Sequence, residues 1–170
     1  SANQSGALKE SMSVVFGVLV KQFVLEQTAD QADWLIGADL LTDKINGDGL
    51  RSMSNPGTAY DDPLLGKDPQ PAHMREFVIT REDNGGVHIN SGIPNRAFYL
   101  VATTLGGFAW EKAGRIWYET LCDRRLANDA SFSDFARLTV EHARQRFGIR
   151  EVQAVQNGWA QVGVDLTEEH

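Results

Sequence analysis

Asp83 and His88 have the side chains and the spacing to work as a pair. Asn84, Gly85 and Gly86 follow the aspartate, and these residue types tolerate positive φ, so the chain can reverse sharply and return the carboxylate toward the imidazole. A carboxylate that accepts the Nδ1 proton fixes the tautomer and favours the charged ring. It also leaves Nε2 to donate a hydrogen bond to developing negative charge. The same residues equally describe a tight turn followed by a polar histidine satisfied by its neighbours. Two other groups invite chemistry. Glu10 sits early in an apolar helical stretch, where a carboxylate is either favoured by the helix dipole or acts as a ligand facing a cleft. Arg51, in Leu50-Arg51-Ser52-Met53, is placed either to hold a carbonyl or to tie down its own loop.

These groups need elements to position them. From Ala7 to about Gln27, Leu8, Met12, Val15, Phe16, Leu19 and Phe23 recur at three and four residues and predict a helix with one apolar stripe. Glu10, Val14, Gly17 and Val18 fall roughly on the other side, so this helix calls for partners on both faces. Residues 28–88 are rich in Asp, Asn, Gly and Pro and predict a long, mostly irregular stretch, a feature that is usually functional in a compact domain. Its acids suit a hard cation or simply solvent, and they do not follow the spacing of an EF-hand loop. Arg75–Thr80 is expected to be a short strand entering the turn. Helices are expected from Asn90 or Ser91 to Leu105, from about Ala109 to Leu126 with a Glu111–Arg115 ion pair, from a Ser131 cap to Phe147, and over about Ile149–Val162. The tryptophans fall on inward faces and are expected in the core.

Composition narrows the classes. The chain has 170 residues, 42% hydrophobic and 23% charged, enough for one globular domain with a core. A net charge of -7 leaves no basic face for phosphates and argues against nucleic-acid binding. No apolar run approaches the roughly 18 residues of a membrane span. The lone Cys122 has no intrachain partner and is expected to be buried and inert.

Separated stretches together resemble the thermolysin family of zinc metallopeptidases. Gln4-Ser5-Gly6-Ala7-Leu8-Lys9-Glu10-Ser11-Met12-Ser13-Val14-Val15-Phe16-Gly17 is similar to the family's helix with the pattern Asn-Glu-x-x-Ser-Asp. Gly47-Asp48-Gly49-Leu50-Arg51-Ser52-Met53 and Asp83-Asn84-Gly85-Gly86-Val87-His88-Ile89-Asn90-Ser91-Gly92 match its Arg and Asp/His elements in order, with Trp34-Leu35-Ile36-Gly37 before them. The resemblance covers essentially residues 1–170 and implies a mainly α, multi-helix C-terminal domain. By that resemblance Glu10 would be the third zinc ligand, and His88, oriented by Asp83, would stabilise the oxyanion of peptide hydrolysis. Arg51 would hold a substrate carbonyl, and Ile36, Leu40 and Leu50 would line the pocket for a large apolar residue after the scissile bond. Leu41, Thr42, Ile45 and Asp48 resemble a single-calcium loop, mostly through backbone oxygens.

The family's mechanism also needs His-Glu-x-x-His, two imidazoles one turn apart on zinc beside a carboxylate base. His73, His88, His142 and His170 include no such pair. The start at Ser1 therefore reads as a cut, with the other half of the site expected in a preceding N-terminal domain of a secreted endopeptidase. Lys9 stands where the family pattern has Asn, and Val14 where it has the Asp that orients a zinc-bound histidine. Lys21 and Leu35 replace acids of the family's paired calcium site. The alternative is a catalytically silent domain of the same shape that binds peptide or protein.

Overall fold

The computed structural model describes residues 2–167, so His170 lies outside the described residues. Among the described residues six helices carry the fold: α1 (Asn3–Val24), α2 (Asp83–Asn90), α3 (Gly92–Leu105), α4 (Ala113–Leu121), α5 (Phe132–Arg146) and α6 (Ile149–Gln161). Between α1 and α2 run two antiparallel strand pairs, β1 (Leu35–Ile36) with β2 (Arg51–Ser52) and β3 (Asp61–Asp62) with β4 (Gly66–Lys67).

The core forms where the apolar stripes of the helices meet. Ile93, Ala97, Phe98 and Val101 of α3 are fully buried, and α1 contributes Ala7, Leu8, Met12, Val15, Val18 and Leu19. At the α3–α6 crossing a Cβ on Gly158 would lie 2.7 Å from Val101 Cγ2 and 3.2 Å from the Ala97 carbonyl, so only glycine permits this approach. Trp117 of α4 stacks on Trp159 of α6 with centroids 5.7 Å apart and planes within 4°, and Phe135 meets both rings edge-on. Full burial of each such ring is worth about 1.5–3 kcal/mol, which makes this aromatic cluster a principal anchor of the bundle. Trp159 Nε1 donates to Thr139 Oγ1 at 2.9 Å, so its polar edge is satisfied inside.

The α5 start follows its sequence signal. Ser131 Oγ accepts from the Asp134 amide at 3.1 Å while Asp134 Oδ2 accepts from the Ser131 amide at 2.9 Å, a reciprocal capping box. Elsewhere the structure corrects the sequence expectations. The second of the late helices is α4 alone, because turns occupy 109–112 and 122–126. Arg115 pairs with Glu119 one turn on at 3.1 Å rather than with Glu111. Neither Asn90 nor Ser91 caps α3 with its side chain; Asn90 instead holds the backbone of Val78. Arg75–Thr80 forms no strand, Met74–Glu76 being a 3₁₀ turn followed by chain without regular structure. α1 ends at Val24 and leaves Phe23 exposed, packed edge-on against Trp110, and Cys122 is exposed.

The irregular half is ordered by carboxylates. Buried Asp62 accepts from the amides of Asn46 (2.9 Å), Leu64 (2.8 Å) and Leu65 (3.3 Å), which hold its carboxyl below the usual range. Asp68, also buried, accepts from the amides of Gly57 (3.0 Å), Ala59 (3.2 Å) and Gln70 (3.1 Å). Side-chain acceptors thus take the place of a strand ladder and satisfy backbone donors that would otherwise be orphaned.

Candidate active site

The pair that opened the sequence closes as its residue types require. Asp83, Asn84, Gly85 and Gly86 all have positive φ (52°, 52°, 88° and 77°), a left-handed turn ahead of the right-handed part of α2. Glycine is needed at 85 for a second reason: a Cβ there would sit 2.2 Å from Asn3 Oδ1. The turn brings both oxygens of Asp83 onto His88. Oδ1 lies 2.5 Å from Nδ1 of the ring, and Oδ2 accepts the His88 amide at 2.8 Å. Desolvation pushes the Asp83 carboxyl up, but the ring and amide hydrogen bonds and the charge of His88 together outweigh it and leave the group below its ordinary value. With Nδ1 engaged, Nε2 points away, 3.3 Å from Glu10 Oε2 on α1.

Glu10 is held in place by its own helix. Ser11, the next residue, is buried and donates to Asn95 Oδ1 of α3 at 2.7 Å, which fixes the rotation of α1 about its axis. One face of α1, comprising Glu10, Ser13, Val14, Gly17, Val18 and Lys21, then lines a groove of about 610 Å³ whose far wall includes Ile36, Leu40 and Arg51. These spacings of three and four residues are what places side chains on one helical face. Lys21 is engaged at the rim with Asp33 at 3.4 Å.

Arg51 reaches that wall through the small sheet. β1 and β2 pair Ile36 with Arg51 and Leu35 with Ser52, and the Leu50 amide donates to the Ile36 carbonyl at 2.8 Å. Arg51 also borders a second recess of about 270 Å³, shared with Leu50, Tyr60, Leu65, Gln70 and His88. Of the residues singled out from sequence, Glu10, Ile36, Leu40 and Arg51 therefore share one groove, while Leu50, Arg51 and His88 share its neighbour, and the Glu10–His88 contact joins the two. Thr42 and Asp48 stand apart on an exposed loop, where the Thr42 carbonyl accepts from the Ile45 amide at 3.0 Å and the Asp48 amide donates to Ala59 at 2.8 Å. Lys9 faces elsewhere, into a small cavity with Met12, Leu121 and Phe135. Gln70, beneath the site, was not marked by sequence: its contact with the His88 carbonyl spans loop to helix, and no local spacing signals it, while Ser91, expected as a cap, donates to the same carbonyl three residues back.

Among the described residues no three His, Cys, Asp or Glu side chains come together to hold a metal ion, and no helix is long and apolar enough to cross a membrane. Chemically, the site offers a half-exposed carboxylate, an imidazole whose donor direction is fixed, and a guanidinium, all on open grooves.

Residues 2–164 match the family described as thermolysin metallopeptidase, alpha-helical domain, and the chain belongs to that family. It is 66% identical over 166 residues to an extracellular metalloprotease of Pectobacterium carotovorum subsp. carotovorum, covering 98% of this chain and 48% of that protein. Against the extracellular minor metalloprotease of Serratia marcescens it is 60% identical over 159 residues, covering 92% of this chain and 44% of the relative. Among solved structures, the precursor of protealysin, a metalloproteinase from Serratia proteamaculans, superposes with a TM-score of 0.95 at 70% identity, covering 96% of this chain and 51% of that one. The chain thus spans about half the length of the curated relatives it matches.

Proposed function

We propose that this chain is the C-terminal half of a secreted zinc metalloendopeptidase, with Glu10 as the third zinc ligand, His88 oriented by Asp83 as oxyanion stabiliser, and Arg51 holding a substrate carbonyl. The observation that carries the proposal is the state of His88: Nδ1 is bound by Asp83, and Nε2 is turned to the Glu10 carboxylate at 3.3 Å. A donor held in that direction beside a carboxylate is what peptide hydrolysis needs, because charge develops on an oxygen close to the metal.

The donor set is compatible with zinc only as a shared centre. Glu10 offers one carboxylate ligand, a catalytic zinc takes three protein ligands, and among the described residues no three His, Cys, Asp or Glu side chains come together to supply them. The remaining ligands and the proton-accepting carboxylate belong to a preceding domain with His-Glu-x-x-His. Bound zinc supplies Lewis acidity there. This chain's own groups do the rest. Arg51 holds the peptide across the two recesses, Ile36 and Leu40 take a large apolar side chain after the scissile bond while Leu50 lines the neighbouring recess, and His88 Nε2 donates to the tetrahedral oxyanion. Calcium, bound mostly by backbone oxygens of the loop carrying Thr42 and Asp48, is part of the same proposal.

One observation favours a second assignment, a catalytically silent domain that binds peptide or protein. Val14 lies one turn beyond Glu10 on the same groove wall and carries no acceptor to orient a neighbouring ligand. The two assignments separate in the longer protein. If the chain is catalytic, His88→Ala lowers kcat by roughly 10²–10³-fold with KM little changed, while Arg51→Ala damages KM as well. An unchanged kcat in the His88 variant removes that residue from the chemistry.

A further inference from the structure

We infer that Gln70 is a positioning residue that sets the register between the Arg51 loop and His88. The inference rests on the peptidase function proposed above and adds a residue to it.

Gln70 is buried, and its Nε2 donates to the His88 carbonyl at 2.8 Å and to Ser91 Oγ at 3.1 Å. Ser91 Oγ in turn donates to the same carbonyl at 3.3 Å. His88 is therefore gripped at three points, the ring and the amide by Asp83 and the carbonyl by Gln70. Asp83 precedes His88 in the same turn and carries no information about the rest of the cleft. Gln70 comes from the loop half of the molecule.

The other end of Gln70 leads to Arg51. Its amide donates to Asp68 Oδ1, and Asp68 Oδ2 accepts from Gly57 and Ala59. The Ala59 carbonyl accepts from the amides of Asp48 at 2.8 Å and Gly49 at 3.4 Å, just before Leu50 and Arg51. One chain of hydrogen bonds therefore runs from the backbone that presents Arg51, through Asp68 and Gln70, to the backbone that presents His88. The seating is tight: a Cβ on Gly92 would meet Gln70 Cβ at 2.9 Å and the Pro71 carbonyl at 2.7 Å. Gln70 and His88 also wall the same recess beside Arg51. A slip of the loop against α2 would move guanidinium and imidazole apart, and misplacements of about 1 Å cost on the order of 10²-fold in rate.

A double-mutant cycle in the longer, zinc-loaded protein tests this, with kcat and KM measured for the parent, Gln70→Met, His88→Ala and the double variant. Gln70→Met keeps length and burial but removes the donor. The expected result is a kcat loss of about 10-fold or more from Gln70→Met in the parent and little further loss once His88 is alanine, as holds for coupled positions. Equal fold-losses in the two backgrounds would mean that Gln70 merely supports the fold and would overturn the inference, as would no loss in either. Gln70→Glu, which also withdraws the donor at neutral pH, provides the cycle if the methionine variant does not fold. If His88→Ala itself leaves kcat unchanged, it is the proposed function that fails; if His88→Ala is damaging but Gln70 is not coupled to it, only the positioning role fails.

Discussion

Replacing Asp83 by Asn isolates the charge of the pair while keeping its shape. Both oxygens of Asp83 are in use, one on the His88 ring at 2.5 Å and one on the His88 amide at 2.8 Å. An asparagine has one acceptor oxygen, so its NH2 group faces either the His88 amide, donor against donor, or ring Nδ1, which must then give up its proton and accept. The charge is lost in either orientation. At contact distance a unit pair is worth about 1 kcal/mol in water and about 4 kcal/mol at an effective dielectric near 20. The side chains are 26% and 51% exposed, which puts the loss toward the lower part of that range, about 1–2 kcal/mol. At 1.36 kcal/mol per factor of ten, this corresponds to a fall in kcat on the order of 10-fold in Asp83→Asn, as the ring loses the carboxylate that orients it. The assay is hydrolysis of a short peptide by the longer protein, with a thermal melt as the fold control. A kcat equal to the parent's would refute the idea that the carboxylate orients the ring for the chemistry.

Further outcomes follow from other parts of the molecule. This chain alone should neither hydrolyse peptides nor retain stoichiometric zinc, since Glu10 is its single proposed ligand; metal analysis of the purified chain checks this, and one tightly held zinc would contradict it. In the longer protein Val14→Asp, alone and with Lys9→Asn, should tighten zinc and raise activity by ~10-fold or more if a facing histidine lacks an acceptor, as read by metal competition and peptide hydrolysis. Because Lys9 opens onto a different cavity from Val14, the Lys9 change should add little. Ser131→Ala should cost about 1 kcal/mol in denaturant melts by removing half of the capping box. Asp83, Asp134, Glu119 and Asp123 all have lowered values in the folded chain, so the stability they lend is present above the ordinary carboxylate range near 4 and is lost as pH falls below it. The thermal midpoint should drop steadily over that acid window, and a flat midpoint would argue against those pairs.

The late helices and the turn were legible because their signals are local. Periodicity found α1, α3, α5 and α6, the Ser131 cap fixed the start of α5, and Asn-Gly-Gly marked the reversal that Asp83 needs. The misread segments were those whose partners lie far away in sequence. Val78 lies in irregular chain, and its amide and carbonyl bond to the side chain of Asn90 at 2.9 Å each, a contact no period-2 pattern encodes. Turns at 109–112 and 122–126 trimmed α4 at both ends, although the apolar spacing runs through the first of them. Hydrogen bonds gathered by Asp62 and Asp68 give the irregular half its order, and from sequence these looked like any other loop acids.

Arg51 stands on the wall between two recesses, one containing Glu10 and the other His88. A guanidinium is planar and rigid at its head, so it cannot lean into one recess without withdrawing from the other. Ligand groups entering the two recesses are then not independent: filling one sets the position of the shared wall that the other meets. Were a peptide laid across both, as the proposed function has it, preference at one side chain would be conditional on its neighbour, and the cleft would discriminate between pairs of residues rather than between residues taken singly.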